Sequence, residues 1–446
     1  MQQRAGLATP ALRRVLVVLC VTEIVSWGVL YYAFPVLAPA MSHDTGWSPT
    51  ALTAGFSVAL GISALVGVPV GRWLDRRGPR AVMTAGSVLA VPAVVVVATA
   101  PSLVVYLAGW VLAGIAAGGI LYPPAFAALT RWWAPRQVVA LTALTTVAGL
   151  SSTVFAPLTA ALLGPLGWRG AYLVLAGILA VVTIPLHLWG LRGPWPRVTV
   201  TRDDADPSPV VRSRPFLLLA AALAVATLSA YAVLVNLVPL LLGRGLDTPT
   251  AALALGLGGV GQVVGRLGYR RLAAVTTPRG RATLVFGISA VTTALLGLVP
   301  GPAAVLVGLA ILAGVVRGIF TLLQATAVAD RWGTAHYGRL NGIMAAPSTV
   351  AMAVAPFAGT ALAGVLGGYP AVFVLLAVLA AASAVLVLGG SPPSPPATPP
   401  ESSSSAPSAS AARAATSNKP DRADRAVVQP RDDHSGPANE SAANNS

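Results

Sequence analysis

The sequence predicts an all-α membrane protein: twelve transmembrane helices in two parallel six-helix repeats, followed by a disordered C-terminal tail. Three observations predict it. Of 446 residues, 55% are hydrophobic and 10% charged, against about 25% charged in a soluble domain, and mean hydropathy is +0.75. Twelve apolar stretches reach the length of about 20 residues that a helix needs to cross the hydrocarbon core. The chain also aligns with itself at an offset of 200 residues, the mark of an internal repeat.

The stretches run approximately 15–40, 49–70, 81–100, 102–128, 138–163, 168–190, 215–242, 249–268, 282–300, 302–329, 340–366 and 369–389. The first is too long for the roughly 7–15-residue core of a signal peptide and no cleavage site follows it, so it reads as a retained helix. Arginines set the orientation. They gather before the first stretch (Arg4, Arg13, Arg14) and in the even-numbered loops, from Arg72, Arg76, Arg77 and Arg80 through to Arg331 and Arg339. Odd-numbered loops hold only Arg169 and Arg244. The expectation is a multi-pass protein of the plasma (inner) membrane with both termini cytoplasmic. Residues 1–190 then form an N-terminal six-helix bundle and 191–214 a polar cytoplasmic linker. Residues 215–390 form a C-terminal six-helix bundle, and the Ser-, Pro- and Ala-rich stretch 391–446 is a tail too polar to bury a core.

At the 200-residue offset Tyr31 falls on Tyr231, Pro39 on Pro239, Pro49-Thr50-Ala51 on Pro249-Thr250-Ala251, and Arg131-Trp132 on Arg331-Trp332. Gly114 and Gly118 fall on Gly314 and Gly318, pairs whose small-xxx-small spacing lets membrane helices approach closely. Six spans is an even number, so both halves keep the same orientation. A parallel repeat of this kind expects a solute site between its halves near the midplane.

Composition also excludes. The net charge is +15, yet the basic residues lie in gaps between apolar runs and not on one face, so no nucleic acid is expected. The one lysine, Lys419, lies beyond the apolar body, which removes phosphate-binding and Schiff-base lysines there and, with them, a self-contained ATP-driven pump. Cys20 is the sole cysteine and the four histidines are scattered. Neither a metal centre nor a cofactor is expected, and the absence of converging His, Asp or Cys groups argues against a membrane enzyme.

The segment after the second stretch reads Gly71-Arg72-Trp73-Leu74-Asp75-Arg76-Arg77-Gly78-Pro79-Arg80. It resembles the G-x-x-x-D-R-x-G-x-R loop of the major facilitator superfamily, at the position that family places it. Tyr122, Arg131-Trp132-Trp133, Gly149 and Gly167-Trp168-Arg169-Gly170-Ala171-Tyr172 resemble the bacterial monocarboxylate and oxalate/formate branch. The resemblance covers roughly residues 12–390 and implies a secondary transporter that rocks two halves around a central site. It further implies that Gly71, Asp75, Arg76, Gly78 and Arg80 form a conformational latch between the halves. The second half reads Gly265-Arg266-Leu267-Gly268-Tyr269-Arg270-Arg271; it lacks the acid, so a latch there would be degraded. Gln262 stands four residues before Arg266 where monocarboxylate carriers have Asp, which weakens a proton relay at that place. The eleventh span lacks the lysine of oxalate exchangers, and the fifth lacks the G-x-x-x-G-P motif of drug/proton antiporters.

Three ionisable residues fall inside spans: Glu23, Arg266 and Arg317. Each costs about 2.5–3.5 kcal/mol at a helix centre on insertion scales, which makes such residues functional candidates. Their repeat partners, Leu223, Val66 and Ala117, are apolar, so packing alone does not demand the charges. Arg317, Thr321 and Gln324 make a polar stripe at helical spacing, and Glu23, Trp27, Tyr31 and Phe34 make another. His187, beside Trp189, reads as an interfacial residue. In the family that the chain resembles, the first, fourth, seventh and tenth helices line the cavity. That implies Glu23, Tyr31, Tyr122, Tyr231, Asn236 and Arg317 as cavity residues, with Arg266 and Gln324 as further candidates. Two arginines against one glutamate favour an anionic solute such as a monocarboxylate, moved by a monomer with protons as the coupled partner. The competing expectations are an exporter of drugs or metabolites with the same fold, and a non-transporting membrane sensor.

Overall fold

The computed structural model describes residues 9–134, 136–195, 208–333 and 337–389; the tail and most of the linker lie outside them. Among the described residues, eleven helices are long and apolar enough to cross a membrane. They are α1 (Pro10–Thr45), α2 (Pro49–Arg77), α3 (Pro79–Thr99), α4 (Leu103–Trp132), the 54-residue Gln137–Gly190, α7 (Arg214–Gly243), α8 (Thr248–Val275), α9 (Pro278–Leu298), α10 (Ala303–Thr326), α11 (Arg339–Leu366) and α12 (Tyr369–Gly389). As one rod the 54-residue segment would be about 80 Å long at 1.5 Å per residue. It breaks at Gly167 (φ 65, ψ 176) into α5 (137–166) and α6 (168–190). At the break the Trp168 indole N–H donates to Asp44 Oδ2 at 2.8 Å. At the far end of α6, Arg14 donates to the Arg192 carbonyl at 2.8 Å. The segment therefore crosses twice, which makes twelve crossings among the described residues.

Helix starts follow local chemistry. Ser48, Ser213 and Thr277 accept from backbone N–H groups three residues on, each with Pro in the first turn, which satisfies donors that have no partner inside the helix. Asp247 caps α8 in the same way, and its hydrogen bonds from the Thr250 side chain and N–H hold its carboxyl below the usual carboxylate range.

The small-residue faces carry the packing. Gly114 and Gly118 of α4 lie on the backbone of Ala59 and Ser63 in α2, and Gly314 and Gly318 of α10 lie on Gly258 and Gln262 in α8. The same helix pair thus meets in each half, backbone to backbone, as the repeat requires. Between halves α5 packs on α8 and α2 on α11, again repeat-related pairs. Thr153 Oγ1 donates to the Gly256 carbonyl at 2.8 Å, and the Phe357 N–H donates to Ser57 Oγ at 3.0 Å. Around that contact α2 and α11 line a cleft of ≈ 540 Å³ that includes Ala54, Ser57, Leu65, Thr349 and Phe357.

Two expectations are corrected. Gly71–Arg77 is not a loop: it is the last two turns of α2, ended by Gly78 (φ 77, ψ 172), with Pro79 opening α3. Charge marked the end of the apolar run, but the helix continues into polar surroundings until a residue free to take positive φ stops it. His187 is not interfacial: it is fully buried, and its Nδ1 hydrogen-bonds Ser87 Oγ at 2.7 Å. The π-helical turn Leu186–Gly190 adds a residue to the last turn of α6 and turns His187 inward, leaving Trp189 exposed.

Candidate functional site

Near the middle of α1 the helix widens into a second π turn, Gly28–Tyr32. Gly28 lies against the Phe155 ring of α5, where a Cβ would collide. The extra residue changes the register of the stripe Glu23, Trp27, Tyr31, Phe34. Trp27 and Tyr31 face a central cavity, while Phe34 stacks on Phe56 at 4.4 Å inside the first half.

The cavity has ≈ 50 Å³ of free space and lies between the halves. Trp27, Tyr31 and Tyr32 of α1, Tyr122 of α4 and Gly149 of α5 form one wall; Tyr231 of α7, Gln262 and Arg266 of α8, and Arg317 and Thr321 of α10 form the other. The rings pack as a collar: Trp27–Tyr122 centroids are 5.0 Å apart, Trp27–Tyr31 5.5 Å, and Tyr31 meets Tyr231 across the halves at 6.4 Å and 81°. The Tyr31 hydroxyl and the Trp27 N–H are buried without hydrogen-bond partners.

Arg266 is 8% exposed. It donates to the Thr145 carbonyl of α5 and, at 3.3 Å, to Thr321 Oγ1 of α10, so it ties the second half to the first. Arg317 has one long hydrogen bond, to Gln262 Oε1 at 3.4 Å, and its Nε is buried without a partner. The ion pairs among the described residues are Arg131–Asp75, Arg169–Asp44 and Arg281–Asp330. Neither cavity arginine has a carboxylate. Two guanidinium groups thus face one small, hydroxyl-lined space with their charge uncompensated by protein.

Tyr31, Tyr122, Tyr231, Arg266 and Arg317 therefore come together as the sequence suggests. Three candidates do not. Glu23 is fully buried with the Trp27 indole one turn on beside its carboxyl, and among the described residues no arginine pairs with it. Asn236 accepts from Thr360 at 2.9 Å and lines a separate space of ≈ 360 Å³ toward the Asp44 end. Gln324 donates to Thr227 Oγ1 at 2.9 Å and lines a neighbouring space within the second half. Sequence reasoning missed Trp27, Thr321 and Gln262 as cavity residues, although Gln262 lies one turn before Arg266 and Thr321 one turn after Arg317, on the same faces. The Thr145 carbonyl had no signal, because a backbone contact leaves none in side-chain identity.

At the Asp75 end, Asp75 pairs with Arg131 of α4, in its own half. Trp195, in the first part of the linker, accepts the Arg131 guanidinium on its ring at 4.7 Å and donates to the Asp75 carbonyl at 3.2 Å. Arg80 donates to the Leu188 carbonyl at 2.8 Å, while Arg76 stays exposed. In this conformation the motif joins α2, α4 and the linker. In the second half the Tyr269 hydroxyl meets Thr326 Oγ1 at 2.6 Å. Thr326 donates to Asp330 at 3.0 Å, which pairs with Arg281. A polar network at this end of the second half is thus built on Asp330, in the segment after α10.

Comparison with known proteins agrees with this architecture. The sequence model of the Major Facilitator Superfamily matches residues 19–304 and 275–423. The chain is 29% identical over 375 residues to a rat protein, monocarboxylate transporter 13, covering 81% of this chain and 83% of that one. It is 25% identical over 352 residues to the oxalate:formate antiporter of Oxalobacter formigenes, covering 74% and 80%. In fold it is similar to an inward-facing, occupied crystal structure of a bacterial homologue of the human lysosomal transporter Spinster, with TM-score 0.68, 16% identity, and 85% and 97% of the two chains covered. Twelve crossings in two repeats, a small site between them and a match along most of its length lead to one conclusion: the chain belongs to the Major Facilitator Superfamily, a family of membrane transporters and not of enzymes.

Proposed function

We propose that this transporter carries a small monocarboxylate anion across the plasma membrane, coupled to protons, by rocking residues 1–190 against residues 215–390. The observation that carries the reading is the pair Arg266 and Arg317, held without protein carboxylates beside the hydroxyls of Tyr31, Tyr122 and Tyr231. An uncompensated cation inside a membrane is costly, and a carboxylate accepting from a guanidinium fork offsets that cost. The arginine cavity itself has ≈ 50 Å³ of free space, about four water-sized groups at ~10–15 Å³ each, which suits a carboxylate head. Resemblance to monocarboxylate transporters in sequence points the same way.

In this reading Glu23 carries the coupled proton, since ionising a buried carboxyl without an ion-pair partner is expensive and its protonation is tied to what surrounds it. In this reading the Asp75 end and both termini, where the arginines gather, face the cytoplasm. Asp75, paired here with Arg131 of its own half, is then the latch residue and engages the other half in the opposite conformation. A monomer suffices, because the whole site lies within one chain.

The test is uptake of radiolabelled lactate into proteoliposomes holding the purified protein. The reading expects accumulation driven by an inward proton gradient and collapsed by a protonophore. Binding without uptake would replace the transporter by a sensor, and gradient-independent uptake would remove the proton.

A further inference from the structure

The second half of the bundle contains a polar-lined space. It measures ≈ 260 Å³, adjoins the arginine cavity at Tyr231, and is lined by Thr227 of α7, Gln324 of α10, and Asn341, Ser348 and Thr349 of α11 together with apolar neighbours. Thr227 and Gln324 hydrogen-bond each other at 2.9 Å. Ser348 Oγ is buried there without a partner. Among the described residues, no charged side chain lines it.

The internal repeat provides a control. At the 200-residue offset Thr227, Gln324, Asn341, Ser348 and Thr349 correspond to Trp27, Pro124, Leu141, Ala148 and Gly149. None of these partners carries a hydroxyl or amide, so packing of this helix arrangement does not call for polar groups. In the first half the repeat position of Thr227 is the bulky Trp27, packed on Tyr122 at 5.0 Å. In the second half that position holds the smaller Thr227, and Leu322 stands where Tyr122 would. A space kept open inside a membrane bundle, with hydroxyls and amides gathered around it, needs something to hydrogen-bond with.

From this we infer that the Thr227–Gln324–Asn341–Ser348 space is a second subsite, which takes the uncharged polar end of a substrate whose carboxylate lies at Arg317 and Arg266. The inference rests on the anion reading above and narrows it to monocarboxylates whose far end carries an uncharged hydrogen-bonding group. A second ionised carboxylate would meet hydroxyl and amide groups but no cation, so dicarboxylates are disfavoured. Tyr231, which lines both spaces, divides the charged subsite from the neutral one.

Titration calorimetry of the purified full-length protein tests it with three probes: butanoate, its terminally hydroxylated analogue, and succinate. Wild type should bind the hydroxylated probe about tenfold more tightly than butanoate, the worth of one hydrogen bond at about 1.4 kcal/mol, and succinate least well. Thr227→Trp installs the first half's residue and should bring hydroxylated probe and butanoate to equal affinity. If that variant fails to fold, the double change Gln324→Leu with Ser348→Ala should do the same. Arg317→Ala should weaken all three probes. Equal affinities in wild type, or a tenfold preference surviving the subsite variants, overturns the subsite while leaving the arginine reading intact if Arg317→Ala still loses binding. Undiminished binding by Arg317→Ala, or no binding of any probe to wild type, overturns both.

Discussion

Replacing Arg317 by alanine removes a side chain whose only protein hydrogen bond is a 3.4 Å contact to Gln262. If its guanidinium grips the substrate carboxylate with two charge-assisted bonds, each worth about 1.5–3 kcal/mol, the loss is at least about 3 kcal/mol, or roughly 150-fold in affinity. Arg317→Lys keeps the charge and one bond but not the fork geometry, so about tenfold is expected. Stability should move the other way. No buried carboxylate depends on Arg317, since Glu23 makes no ion pair with it, and removing an uncompensated charge relieves part of the insertion cost of about 2.5–3.5 kcal/mol. Breaking a true buried ion pair would instead cost about 3–5 kcal/mol. Lactate affinity from uptake in proteoliposomes, with melting temperature in detergent, measures both. Full uptake by Arg317→Ala at normal abundance would refute the argument. A large drop in melting temperature, rescued by adding Glu23→Gln, would show that the two charges neutralise each other after all.

Four further outcomes follow from the same geometry. Glu23→Gln should abolish uphill accumulation while leaving lactate counterflow between equilibrated compartments intact; loss of both would make Glu23 a structural residue. Asp75→Asn weakens an ion pair whose Asp75 side is exposed and whose Arg131 side is half-buried, which costs about 1 kcal/mol of stability, yet it should slow transport several-fold at unchanged abundance, and an unchanged rate would leave the motif a topology signal only. Gly314→Val pushes a side chain into the Gly258 backbone, and overpacking of about 1–3 kcal/mol or more should empty the membrane of folded protein; normal abundance would show that α8 and α10 can separate. In a Cys20→Ser background, His43→Cys should react with an impermeant thiol reagent in intact cells and Ser435→Cys should not, and the reverse pattern would invert the assigned orientation.

The sequence by itself determined the class of molecule, the number of crossings and the repeat. Each is a one-dimensional property: lipid demands about 20 apolar residues per crossing, and a duplicated bundle leaves its Pro, Trp and Tyr at a constant offset. It also named the arginines of the site, because a charge inside an apolar run is conspicuous. It did not determine which way the side chains turn. The π turn at Gly28–Tyr32 shifts the register of α1 and separates Tyr31 from Phe34, and uniform helical periodicity cannot express such a shift. A second π turn buries His187 in the same way. The pairing of Asp75 with Arg131, that of Asp330 with Arg281, and the lack of an ion pair for Glu23 among the described residues are relations between helices far apart in the chain. Only packing decides them, since which charges meet depends on which helix faces touch.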